Sequence, residues 1–95
     1  MPKYVVVHPL GKEVNAEAAT PSAKAVKAQA TKDAYWVRSW YLRDEGKLYC
    51  EWDAKDANSV RQAIDRANAT LPQQARFPVA GVYELEMAVS SEDFR

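Results

Sequence analysis

The chain has 95 residues, of which 47% are apolar and 27% charged, with thirteen basic side chains against thirteen acidic ones. That balance is a folded domain's rather than a disordered segment's. It excludes the basic footprint that a nucleic-acid backbone or an anionic membrane surface requires. It also removes the self-repulsion that would hold two copies apart.

The first apolar run, Tyr4 to His8, reads as a strand stopped by Pro9-Leu10-Gly11. It is too short for a secretory leader. No stretch reaches the ~20 apolar residues of a membrane span. Cys50 is the single cysteine, so no internal disulfide forms, and the expected compartment is the cytoplasm. After a polar connection, Thr20-Pro21 has the form of an N-cap and first turn, predicting a helix over 21–32. Its inner face (Ala23, Val26, Ala30) is small and suits close approach to a sheet.

Tyr35 to Leu42 is the strongest strand signal, Arg43 to Gly46 a turn, and Lys47 to Asp53 the returning strand. Val60, Ala63, Ile64, Ala67 and Leu71 then mark an amphipathic helix capped by Asp56 or Asn58 and stopped by Pro72. Val82 to Val89 closes the pattern as a final strand. The order β-α-β-β-α-β predicts one ferredoxin-like α+β domain over residues 1–95, with two helices on one face of an antiparallel sheet.

Such a sheet leaves its other face bare. Counting back from a symmetric turn sets Trp36 opposite Asp53, Arg38 opposite Glu51 and Trp40 opposite Tyr49. Glu84, Glu86 and His8 are expected on the same open face, with Val5, Val7, Val37, Leu48, Trp52, Ile64, Leu85 and Met87 in the core. Two tryptophans on an uncovered face mark an interface or a pocket. The expected partner is a second copy of the chain, and the expected guest a small anionic molecule or a metal ion. Trp36, Arg38, Trp40, Tyr49 and Glu51 are the candidate ligand-binding residues. His8, Glu51 and Glu84 are the candidate ligands for a divalent metal. The plainer alternative is an Arg38–Glu51 cross-strand ion pair with the other acids solvated. Cys50, among apolar neighbours, is expected to be buried and inert.

Trp36-Val37-Arg38-Ser39-Trp40, Tyr49-Cys50-Glu51-Trp52-Asp53 and Phe77-Pro78 resemble a family of small bacterial proteins catalogued as a domain of unknown function. At least one member is described as nickel-binding. The resemblance implies a ferredoxin-like fold, a homodimer and binding of a divalent metal such as nickel. Two departures bear on the metal. Arg38 stands where relatives commonly carry histidine, and a guanidinium cannot ligate a metal; the Asn68–Arg76 segment is longer than usual. The implied nickel binding is therefore weakened. The competing reading is a cofactor-free enzyme of the dimeric α/β-barrel kind, monooxygenase- or isomerase-like, since fold alone does not fix activity.

Overall fold

Residues 1–94 are described by a computed structural model. Four strands, β1 (Lys3–Pro9), β2 (Ala34–Leu42), β3 (Lys47–Ala54) and β4 (Gly81–Leu85), form one antiparallel sheet in the order β2-β3-β1-β4. Helices α1 (Ala16–Ala28) and α2 (Ala57–Ala69) connect them. This α+β arrangement fits the ferredoxin-like expectation. Among the described residues, no helix is long and apolar enough to cross a membrane.

α2 forms as the periodicity predicts. The Asp56 carboxylate accepts from Ser59 N at 2.7 Å, closing the first turn, while Val60, Ala63, Ile64, Ala67 and, beyond the helix end, Leu71 are buried. The β2–β3 turn also holds. Gly46 has φ +67°, which glycine adopts at no steric cost, and its carbonyl accepts from Gly11 N at 2.8 Å. A β-carbon there would sit 3.1 Å from Gly11 backbone atoms, so another residue would have to shift them as well as bear a strained φ.

α1 starts five residues earlier than Thr20-Pro21 suggests. Asn15 caps it instead, accepting from Ala18 N at 3.1 Å, and Thr20 Oγ1 donates to Ala16 O as an interior residue. Pro21 lies inside the helix and leaves the Glu17 carbonyl without its usual donor. β4 ends at Leu85 rather than Val89. Leu85 pairs with Lys3, the first residue of β1, so beyond it the partner strand has run out. Met87 is consequently 76% exposed and no part of the core.

A further correction concerns facing. In β1 it is Tyr4, Val6 and His8 that turn under the helices and are buried; Val5 and Val7 lie half-buried on the open face. A run of three valines carries no alternation from which to tell this. In β2 a bulge between Trp36 and Arg38 makes Val37 an extra residue and reverses the parity of everything before it. Arg38 stays opposite Glu51 and Trp40 opposite Tyr49, but Trp36 pairs with Trp52 on the covered face, and Tyr35 takes its place opposite Asp53. Val37 is left 41% exposed. In β4, Glu84 pairs with Tyr4 and so belongs to the covered side, exposed at its edge, while Tyr83 and Leu85 take the open side. Of the expected core, Trp52 and Ile64 are buried and Leu48 packs against them.

Candidate functional site

The open face centres on Glu51. Though no helix covers it, this residue is only 6% exposed, because two cations lie against it. Arg38 Nε, from β2, donates to Oε1 at 3.0 Å. Lys3 Nζ, from β1, donates to Oε2 at 3.0 Å and also to Asp53 Oδ1 at 2.7 Å. Strand register makes this possible: Lys3 pairs with Asp53, Val5 with Glu51, and Arg38 with Glu51 from the other side. Two cations thus answer two carboxylates, and the cluster is neutral.

The electrostatics follow from those contacts. Lys3, and after it Arg38, hold the Glu51 carboxyl below the ordinary carboxylate range, outweighing the opposite pull of burial. Asp53 is lowered for the same first reason, with the Tyr35 hydroxyl helping, and Lys3 is raised in return. Tyr35 and Tyr49 are both pushed up, by Asp53 and Glu45 respectively; Tyr49 donates its hydroxyl to Glu45 at 2.7 Å.

Around the cluster stand exposed apolar side chains: Tyr35 (40%), Trp40 (47%), Leu42 (42%) and Tyr83 (57%). The Arg38 guanidinium lies 5.7 Å from the centre of the Trp40 ring and stays 66% exposed. Its Nε is used on Glu51, and its planar fork is the part a carboxylate would grip.

Arg38→Gln is expected to cost about 0.5–1 kcal/mol near neutral pH, the usual range for a pair with one exposed member. Glu51 has a folded-state pKa below its unfolded value, so its contribution is present above the unfolded value of about 4.3 and lost as pH falls through the folded one. Urea melts of parent and variant should therefore converge once the pH falls below that folded-state value. A gap that persists there would mean Arg38 stabilises by packing alone.

Of the sequence-stated candidates, Arg38, Trp40, Tyr49 and Glu51 are brought to one face, and Trp36 is not. Its indole N–H donates to Ser39 Oγ at 2.8 Å on the covered side. His8 is also on the covered side, 2% exposed, with Nδ1 2.8 Å from Pro78 O and its ring tilted against Phe77 at 5.1 Å. Since a carbonyl only accepts, Nδ1 carries the proton, and burial lowers the pKa so that the ring is neutral. His8 and Glu51 thus lie on opposite faces of the sheet, and the set His8, Glu51 and Glu84 does not converge within one chain. Cys50 is buried with its thiol pushed up to about 11 by desolvation, which makes it inert. Lys3 and Tyr35 went unseen, hidden by the uniform valine run and by the bulge.

A family model described as nickel responsive protein SCO4226-like matches residues 4–74. The chain belongs to that family. Its fold is shared with the crystal structure of SCO4226 from Streptomyces coelicolor A3(2), at a TM-score of 0.73 and 15% sequence identity, covering 92% of this chain and 99% of that one. No curated protein matches. The family's description names nickel, but the residues here do not fit a resident metal. Among the described residues, no three His, Cys, Asp or Glu side chains converge. The adjacent carboxylates of Glu51 and Asp53 are already engaged by Lys3 and Arg38.

Proposed function

We propose that the chain is a small homodimeric binding protein whose open sheet face carries its ligand, with nickel affinity weakened by Arg38. The observation that supports this is the neutralised cluster: each oxygen of Glu51 already meets a cation, and Asp53 shares Lys3. A divalent ion entering here would meet two positive charges before it met a free carboxylate. An anionic guest meets instead the unused N–H groups of the Arg38 guanidinium, held above an aromatic ring. Tyr35, Trp40, Leu42 and Tyr83 would form the surface that a second copy covers.

Calorimetric titration with nickel chloride tests the reading. The unmodified chain should bind at best weakly, and Arg38→His, which removes one cation and adds an imidazole nitrogen beside Glu51, should bind at least about tenfold tighter, or 1.4 kcal/mol. Tight binding by the unmodified chain that survives Glu51→Ala would place the metal elsewhere and defeat the proposal.

A further inference from the structure

Between α1 and the covered face of the sheet lies a cavity of about 430 Å³. The small inner face of α1 does not draw it down onto the strands. Ala16, Ala19 and Ala23 line one wall, while Trp36, Leu48 and Trp52 line the other, and alanine cannot fill the space between them. The cavity opens to solvent at its mouth, and its volume falls within the roughly 300 to 1,000 Å³ of small-molecule sites.

Three features choose the guest. The walls are chiefly apolar. The mouth carries Lys24 and Lys27 from α1 and Arg43 from the β2–β3 turn, and among the described residues no carboxylate lines the cavity. The polar groups inside are neutral: His8 protonated on Nδ1, and a chain in which Trp36 Nε1 donates to Ser39 Oγ and Ser39 donates to Cys50 Sγ at 2.9 Å. A charge is therefore welcome at the rim and costly within.

We infer that the cavity under α1 binds a small amphipathic carboxylate, its apolar body beneath the helix and its carboxylate at Lys24 and Lys27. This site lies on the side of the sheet away from Glu51 and goes beyond the open-face reading. The body has two sources, an aromatic ring system or an aliphatic chain, and the probes 2-naphthoate and decanoate separate them.

Calorimetry on the full chain should give saturable binding of at least one probe. The tighter of the two identifies the body. Ala23→Leu, which puts a side chain into the void, should weaken binding at least about tenfold while the melting temperature holds or rises. Ala19→Leu on the same wall serves if that variant fails to fold. Lys24→Gln with Lys27→Gln should weaken binding about fivefold, since rim charges are worth a fraction of a kcal/mol each. Met87→Ala, exposed beyond the end of β4, should leave the affinity unchanged. No saturation by either probe below about 1 mM, at roughly −4 kcal/mol, overturns the inference. So does full affinity in the folded wall variants, or loss of binding in Met87→Ala alone. Full affinity in the double lysine variant removes the carboxylate from the assignment and overturns it as stated.

Discussion

Ile64→Ala is expected to destabilise the fold by about 2–5 kcal/mol, the range for removing a large aliphatic side chain from a core. Ile64 is 2% exposed, in the middle of the buried stripe that α2 lays on the sheet with Val60, Ala63 and Ala67. It also borders the cavity beneath α1, so the neighbouring wall gives the site little to collapse onto. That absence favours the upper part of the range. A domain of this size has roughly 5–15 kcal/mol in all, and each kcal/mol moves the melting temperature by about 4–8 °C. The variant should therefore melt at least about 10 °C below the parent. Val37→Ala is the matched control: also aliphatic, but 41% exposed on the bulge, where substitution costs within about 0.5 kcal/mol. Equal urea midpoints for parent and Ile64→Ala would show that α2 does not face the sheet as described.

The contrast between those two residues shows where the sequence is informative. Ile64 belongs to a helix in which spacing, N-cap and stop signal agree, so its facing could be read directly. The hairpin was equally legible on the turn side of the bulge, because Gly46 fixes the count and pairs Arg38 with Glu51 and Trp40 with Tyr49. One extra residue at position 37 then undoes the count, and no property of valine announces it. That slip carried Trp36 to the wrong face. His8 was misplaced for a different reason: Val5, Val6 and Val7 satisfy either parity, and only Phe77 and Pro78, brought over by the chain after α2, decide that the imidazole turns inward. Asn68 holds that segment in place, bonding both Phe77 N (2.8 Å) and Phe77 O (3.0 Å). The cavity was hidden as well, because small residues on α1 suit close packing and open space alike. Long-range packing separates those outcomes, and periodicity carries none of it.

Trp40→Glu is expected to convert a dimer into a monomer. The open face presents Tyr35, Trp40, Leu42 and Tyr83, all at least 40% exposed, around a cluster whose charges cancel. Neither net charge nor a local field opposes a second copy of this face, since the chain as a whole is also neutral. In a two-fold dimer the same patch meets itself, so one substitution enters the interface twice. Trp40 is the side chain best placed to dominate the binding energy: it is large, it lies against Arg38, and tryptophan and arginine are the usual anchors of such surfaces. A glutamate in its place removes that apolar area and sets two carboxylates near each other, next to the buried charge of Glu51. A stable interface hides at least about 1,000 Å² in total, a minor share of the 6452 Å² each chain exposes, so the monomer should remain folded. Light scattering at about 100 µM, where even a contact worth −6 to −7 kcal/mol is mostly formed, should give the mass of two chains for the parent and of one for Trp40→Glu. Circular dichroism should be the same for both. Trp40→Phe, which keeps the ring, should stay dimeric. A parent that scatters as a single chain at that concentration removes the dimer from the proposed function and leaves the open face to a different partner.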